Sequence, residues 1–461
     1  MFTIALLAGG LFAQEPPPAP VTDAGSVSSP ASTRLQIPHE EYQLENGMNV
    51  ILIEDHALPT VTINVWYGVG SKDELVGRTG FAHLFEHLMF MGTTRLPGSG
   101  FDDLMEAEGG WNNAWTSEDA TDYYSVGPSQ LLETLLWMDA DRMDGLSSAM
   151  TQEKLDLQRE VVRNERRQTG EDAPYGVLWL EMNAALYPEG HPYAHSVIGS
   201  HEDLQAATVQ DVVDFFDTWY VPNNASLVVA GDFDPAQIKP FIAGTFGQIA
   251  PGELPERATP ETPDTPVVPL LELEDQVQIP MTTLMWHSPA ALQEGDAAYD
   301  LLASILAGGR SSRLYQRMVH SEQMALEINA YQFSQMHSSI FMIQGLPTET
   351  HTIEQMEDVV FEELQKLAEE GPTQAELDRV VREYQVGFLS GLESLDSRAS
   401  TLNRYHYLVG TTDYLEQDLA RYTTATPADV QAAAAALTRE RALTARVRPE
   451  KTEETAAEET H

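Results

Sequence analysis

The sequence predicts an α+β protein built from two similar sandwich domains, in which helices pack on a mixed or antiparallel sheet. The chain has 461 residues, more than a single hydrophobic core usually holds. Short strand-like runs alternate with long helical patterns in both halves. Between the halves, residues 251–269 contain six prolines and few bulky side chains. Because proline restricts the backbone and lacks an N–H donor, we interpret this segment as an interdomain linker.

The first half begins with a predicted β-hairpin that turns at Asn46 and Gly47, a dipeptide typical of tight hairpin turns. Residues 60–68 alternate apolar and polar side chains, which predicts a strand buried on one face. The other elements expected in this half are helices near 80–92, 101–108, 130–144, 151–169 and 208–219, a strand through Trp115, and a strand at 226–230.

The second half repeats this succession, although direct sequence similarity between the halves is too weak to demonstrate a repeat. A Thr373-x-x-Glu376 capping box predicts the start of a long helix. The elements expected before it are strands at 271–274 and 281–286, helices at 295–306 and 311–318, strands at 326–334 and 339–345, and a helix ending at Gly371.

Composition sets the expected domain boundaries. Residues 1–36 are interpreted as a signal peptide and a disordered tether rich in proline and serine. The first domain is predicted at 37–250 and the second at 270–447, on either side of the linker. Residues 448–461 are acidic and poor in apolar side chains, which predicts a disordered tail.

The overall charge limits the classes of partner. The chain has 71 acidic and 26 basic residues, a formal net charge of −45. This charge disfavours nucleic acid or an anionic membrane surface as a partner, whereas basic or neutral peptides are compatible with it. Cysteine is absent, so the chain has neither a disulfide framework nor a thiol nucleophile.

An apolar segment at residues 2–13 bears on localisation. It has the length of the apolar region of a signal peptide and is too short to span a bilayer as a helix. It predicts a periplasmic or secreted protein. No Lys or Arg precedes it, so the signal is weak and a disordered apolar leader is the alternative. No later segment has 18 consecutive apolar residues, and the sequence predicts no membrane span.

Two histidines four residues apart, His83 and His87, indicate a metal site. On a helix these positions lie on one face, so both imidazoles can bind one ion. Glu86 is close enough to act on a water molecule beside that ion. The surrounding residues 80–92 are mostly apolar, so the helix is predicted to be buried and its polar groups need partners. H-x-x-E-H is the inverzincin pattern; a hydrogen-bonded pair of core histidines is the alternative.

A second predicted helix, with Glu165 in an Asn-Glu context, lies 78 residues after His87. With this feature the chain resembles the pitrilysin-type (M16) zinc peptidases, and most closely the bacterial two-domain members related to mitochondrial processing peptidase. The resemblance runs from about residue 38 to 447. It implies one zinc ion per chain, bound by His83, His87 and Glu165, with Glu86 as general base.

Residues 109–124 resemble the edge strand on which this family binds an extended substrate. The resemblance implies that Asn113, Ala114, Trp115 and Thr116 bind the peptide by β-augmentation. Two glycines just before these residues would let another backbone approach closely. An ordinary edge strand is the alternative.

The chain departs from the family pattern in two places. Gln158 stands where the family usually has a second glutamate, seven residues before the metal ligand. Beside a metal ligand, the amide of Gln158 can orient that ligand by hydrogen bonding but adds no charge. Val319 and Leu326 stand where members that bind substrate through their second half carry an arginine and a tyrosine. The second half is therefore predicted to lack this substrate-binding pair.

These observations predict the zinc-bearing subunit of a two-subunit endopeptidase that hydrolyses oligopeptides or unfolded segments in a clam-shell chamber. The expected partner is a second M16-like subunit that carries the arginine and the tyrosine; a homodimer or a lone clam-shell is the alternative. A non-catalytic peptide-binding or structural subunit is the alternative from another functional class. Retention of all four residues of the predicted zinc site disfavours that alternative.

Overall fold

The computed structural model describes residues 35–257 and 259–450, whose strands form two sheets. The first sheet contains β1 (Glu40–Gln43), β2 (Asn49–Glu54), β3 (Thr60–Tyr67), β4 (Trp111–Thr116), β5 (Thr121–Pro128) and β6 (Ala225–Gly231). The second sheet contains β7 (Leu270–Asp275), β8 (Met281–Ser288), β9 (Ala325–Phe333), β10 (Ser339–Pro347) and β11 (Leu443–Pro449). Gly47 adopts a φ of 88° in the turn between β1 and β2, as the Asn-Gly dipeptide predicts.

The two sheets follow one plan. The spatial order is β1-β2-β6-β3-β5-β4 in the first and β7-β11-β8-β10-β9 in the second. β2 runs parallel to β6, and β7 runs parallel to β11, whereas the other neighbours are antiparallel. Apart from β1, each strand has a counterpart in the other sheet, and β4 and β9 lie at equivalent edges. The predicted α+β class with two similar sandwich domains is confirmed.

Helices pack on both sheets within the described residues. They are α1 (Phe81–Leu88), α2 (Gly100–Glu108), α3 (Leu132–Ala149), α4 (Gln152–Arg166), α5 (Gly176–Leu186), α6 (His201–Ala206), α7 (Val209–Trp219), α8 (Pro235–Gly244), α9 (Asp296–Ala307), α10 (Ile353–Glu370), α11 (Gln374–Gly391), α12 (Leu395–Val409), α13 (Leu415–Thr423) and α14 (Pro427–Ala436). The Thr373–Glu376 capping box opens α11, as predicted. The helix predicted at 311–318 is instead a π-helical segment at Tyr315–Ser321.

Each sheet is covered on one face by helices of its own half and on the other by a helix from the other half. α12 packs against β3 and β6 of the first sheet, and α5 packs against β7 and β11 of the second. Strand β3 is therefore buried on both faces over almost its whole length, and the prediction of a half-buried strand at 60–68 was wrong. Of the three polar residues that produce the alternation, the fully buried Asn64 donates a hydrogen bond to Asp122 and accepts one from Asn403 of α12.

The segment between the halves contains no helix or strand in residues 251–257 and 259–269, the parts of the predicted linker that the structure describes. The apolar segment at 2–13, nearly all of the tether and most of the acidic tail lie outside the described residues, although β11 extends to Pro449. Among the helices of residues 35–257 and 259–450, none combines the length and apolarity that crossing a membrane requires.

Candidate metal centre

Helix α1 is fixed at its start by a buried carboxylate. Gly80 precedes the helix with a φ of 87°, which a glycine adopts without strain. The carboxylate of Glu74 accepts hydrogen bonds from the backbone N–H groups of Gly80 and Ala82, at 2.9 and 2.7 Å, and so satisfies two donors of the first turn. Sequence reasoning missed Glu74, because it lies seven residues before Phe81, the first residue of the helix. Buried Leu84 and Leu88 anchor the other face of α1 in the core.

Helix α4 supplies the third predicted ligand. Thr151 caps its first turn, and the buried Arg159 donates hydrogen bonds to the backbone oxygens of Leu204 and Ala207. These bonds fix the helix against the chain around α6. Glu165 therefore occupies the last turn of a firmly held helix that packs against α1.

The structure brings His83, His87 and Glu165 together. The Nε2 atoms of His83 and His87 lie 3.8 and 3.3 Å from Oε2 of Glu165. One ligand atom from each residue lies within 4.8 Å of the others, the single such group of three His, Cys, Asp or Glu side chains among the described residues. Tetrahedral zinc with bonds of about 2.0–2.1 Å separates its donor atoms by roughly 3.4 Å. Two imidazole nitrogens and a carboxylate at these distances fit zinc.

The pKa shifts of His83 and Glu165 suit metal binding, whereas that of His87 opposes it. Burial, together with the neighbouring His87, lowers the pKa of His83 to about 4, so this ring is neutral at pH 7. Burial also disfavours protonation of His87, but the hydrogen bond and charge of Glu165 outweigh it and raise the pKa of His87. The same hydrogen bond lowers the pKa of Glu165. Neutral imidazole and ionised carboxylate are the forms that bind zinc, and an ion would displace the His87 proton.

Glu86 lies next to the cluster without belonging to it. Burial raises the pKa of its carboxyl group, and a hydrogen bond from Thr116 opposes this effect. The Thr116 hydroxyl lies 2.5 Å from Oε2 of Glu86. A half-buried carboxylate with a raised pKa is a stronger base than an exposed one, as a proton acceptor in catalysis needs to be. Sequence reasoning placed Glu86 correctly beside the histidines but missed its contact with Thr116.

Gln158 contacts the cluster through His87. Its side chain forms a hydrogen bond that contributes to the raised pKa of His87. Its amide nitrogen also lies 2.7 Å from the sulfur of Met91. The position is thus close to a predicted ligand, as expected of a residue that orients a metal-binding ring.

Strand β4 presents the predicted substrate-binding residues at the edge of the first sheet. It pairs with β5 on one side, and no described strand lies on the other. Ala114 and Thr116 share the face that contains Glu86, whereas Asn113 and Trp115 point the opposite way. Trp115 packs edge-on against Trp66, with ring centroids 5.0 Å apart. The free edge of β4 therefore runs beside the metal cluster.

Two family models match the sequence. Residues 49–197 match the model described as Insulinase (Peptidase family M16), and residues 206–384 match the model described as Peptidase M16 inactive domain. The chain belongs to the M16 family. The first M16 match contains His83, Glu86, His87 and Glu165, and the second contains most of the second sheet.

Individual M16 proteins resemble both halves of the chain. The zinc protease PqqE of Helicobacter pylori is 28% identical over 390 residues, which cover 83% of this chain and 87% of that protein. The mitochondrial-processing peptidase subunit beta of Blastocladiella emersonii is 28% identical over 228 residues, or 49% of this chain and 48% of that protein. The crystal structure of a protease from Helicobacter pylori superposes with a TM-score of 0.81 at 26% identity, covering 89% of this chain and all of that one.

The second half has apolar side chains at Val319 and Leu326, the two positions for which the family resemblance predicts a substrate-binding arginine and tyrosine. Leu326 lies on edge strand β9 with 54% of its surface exposed. Val319 packs against the core of the second half. The nearest preceding arginine, Arg317, forms ion pairs with Glu322, Glu362 and Glu363. Its charge is thus already compensated within the fold.

Proposed function

We propose that this chain is the catalytic subunit of a zinc-dependent endopeptidase that hydrolyses oligopeptides or unfolded polypeptide segments. The proposal rests mainly on the convergence of His83, His87 and Glu165 beside the half-buried Glu86. The similarity to proteins named zinc proteases supports the same conclusion. A non-catalytic subunit would have no need of all four groups in this arrangement.

His83, His87 and Glu165 would hold one zinc ion per chain. When bound, zinc polarises the scissile carbonyl and makes a nearby water molecule more acidic. Glu86 accepts a proton from that water as it attacks the carbonyl carbon, and then donates the proton to the leaving amine. Burial raises the pKa of Glu86, which favours the first of these transfers, the uptake of the proton. Gln158 holds the ring of His87 in place during the reaction.

The peptide would bind in extended form along the free edge of β4. Backbone N–H and C=O groups of residues 113–116 pair with the substrate, as β-augmentation requires. Because main-chain hydrogen bonds depend little on side chains, this mode suits substrates of varied sequence. It requires an unfolded segment, since a folded substrate has few unpaired backbone groups.

We further propose a second M16-like subunit as partner and a periplasmic or secreted location. The partner would supply the arginine and tyrosine that Val319 and Leu326 replace here. The apolar residues 2–13 support export as a signal peptide. A homodimer remains the competing arrangement, and measurement of turnover with and without the partner separates the two.

The metal assignment is tested by zinc analysis of the purified chain and of His87→Ala. We expect about one zinc per chain in the wild type and a sharply lower content in the variant, because zinc sites of this class need three protein ligands. His56→Ala is the matched control, since His56 is exposed and bonds to Glu54 and Asp232 away from the cluster. Equal zinc in the wild type and His87→Ala would contradict the assignment.

A further inference from the structure

The Thr116 side chain projects from the face of the sheet on which the predicted general base, Glu86, lies. Its hydroxyl donates to Oε2 of Glu86 at 2.5 Å and so joins the end of β4 to helix α1. Among the described residues, it is the one side chain that donates a hydrogen bond to Glu86. The contact links the predicted peptide-binding strand directly to the helix that carries the metal motif.

This hydrogen bond restricts a side chain that otherwise has three rotatable bonds. With Oε2 engaged, the carboxylate has a fixed orientation, and Oε1 is left to exchange a proton with water. A general base must lie within hydrogen-bonding reach of the proton it removes, so its orientation affects the rate directly. Helix α1 alone cannot provide that orientation, because it fixes only the backbone of Glu86.

The turn that follows Thr116 is bonded to the second half. Three residues further on, in the turn between β4 and β5, the carboxylate of Asp119 accepts hydrogen bonds from the backbone N–H of Met336 and from the hydroxyl of Tyr193, at 2.7 and 2.5 Å. The Tyr193 hydroxyl also accepts a bond from the backbone N–H of His337. Met336 and His337 lie in the loop between β9 and β10. The turn that follows Thr116 is thus attached to the second sheet.

We propose that Thr116 is a positioning residue that orients Glu86, and that its side chain does not bind the substrate. The inference rests on the proposed peptidase function. It adds to the role that the family resemblance implies for Thr116, because the hydroxyl bonds to Glu86 while the backbone of this residue stays available for the peptide. It also gives the second half a role, because that half holds the turn that follows Thr116, the residue that orients Glu86.

The test is the turnover of Thr116→Val and Thr116→Ser, in the form of the enzyme (chain alone or with its partner) that gives wild-type turnover. Valine keeps the β-branched shape but removes the hydroxyl, so kcat should fall about 10- to 100-fold while KM stays within about twofold. Serine keeps the hydroxyl, and kcat should stay within about threefold of wild type. Zinc content should be unchanged in both variants.

Two comparisons separate positioning from a general structural effect. Thr121 pairs with Thr116 across the strands, is fully buried, and donates to the backbone oxygen of Val69, so Thr121→Val removes a similar hydroxyl without touching Glu86. It should retain near wild-type kcat. In a Glu86→Gln background, adding Thr116→Val should lower kcat by less than about threefold, since the group that Thr116 orients no longer acts as a base.

Crystal structures of the wild type and Thr116→Val provide a readout that needs no turnover. We expect Glu86 bonded to Thr116 in the wild type and displaced in the variant. The proposal would be overturned by an unmoved Glu86, by an unchanged kcat in Thr116→Val, by a loss confined to KM, or by an equal loss in Thr121→Val. A wild-type chain with neither zinc nor turnover would instead refute the peptidase function. In that case, the position of Glu86 in the two crystal structures would still show whether Thr116 orients it.

Discussion

Glu86→Gln is expected to retain zinc and the fold but to lose turnover by about 100- to 10,000-fold, the range of general-base catalysis. Glutamine has nearly the same shape, and its amide oxygen can still accept the hydrogen bond from Thr116. It cannot take up a proton from water. Since Glu86 is not among the three converging ligands, the metal content should not change. Turnover of an internally quenched peptide, zinc analysis and thermal unfolding, measured on the same samples, check the three parts of this expectation.

Glu108→Gln provides the control for a loss of one negative charge. Glu108 is exposed at the end of α2 and lies in the same half of the chain. Its substitution should leave turnover and zinc content unchanged. Near-normal turnover of Glu86→Gln would show that Glu86 is not the base, whereas loss of zinc from that variant would place Glu86 among the ligands.

The purified chain alone is expected to be at least about 100-fold less active than the chain with its partner, despite full zinc content. The apolar side chains of Val319 and Leu326 cannot replace charge-assisted hydrogen bonds to a substrate, which contribute about 1.5–3 kcal/mol each. Two missing contacts of this size cost roughly 100-fold or more in transition-state binding, at tenfold per 1.4 kcal/mol. Arg317 is no substitute, because three glutamates already pair with it.

This expectation is measured as turnover against the concentration of a related M16 subunit that carries the arginine and the tyrosine. Activity should rise and level off as the pair forms. A partner in which both residues are replaced by alanine serves as the matched control and should give little activity. Full activity of the chain alone, unchanged by the partner, would favour a self-sufficient enzyme or a homodimer.

Local patterns predicted most of the strands and helices, and long-range packing explains the wrong prediction of a half-buried strand at 60–68. The alternation in residues 60–68 indicates one buried face, yet α12, which begins more than 300 residues later, covers the other. Asn64 is polar because it bonds to Asp122 and Asn403, not because it faces water. No local pattern contains that information. The π-helical turn at Tyr315–Ser321 likewise has the composition of an ordinary helix.

The candidate site likewise contains some contacts that the sequence predicts and others that it does not. The spacing of His83 and His87 on one helix predicts their convergence, and the family resemblance added Glu165. The contacts of Glu74 with the start of α1 and of Thr116 with Glu86 were not predicted. Both join residues from different parts of the chain through one or two hydrogen bonds, which leave no periodic signal in the sequence. Such contacts become visible only when the fold has placed the elements side by side.

The central claim is tested most directly by returning zinc to the metal-free enzyme and measuring turnover after each addition. The chain is stripped with a chelator in the presence of its partner, and zinc is then added in steps. Turnover should vanish on stripping, rise in proportion to added zinc, and level off at about one ion per chain, since the described part of the chain contains a single three-ligand cluster. His87→Ala, treated identically, should stay inactive at that level. Turnover that survives removal of the metal, or that zinc restores equally in His87→Ala, would contradict the assignment of this cluster as the catalytic centre.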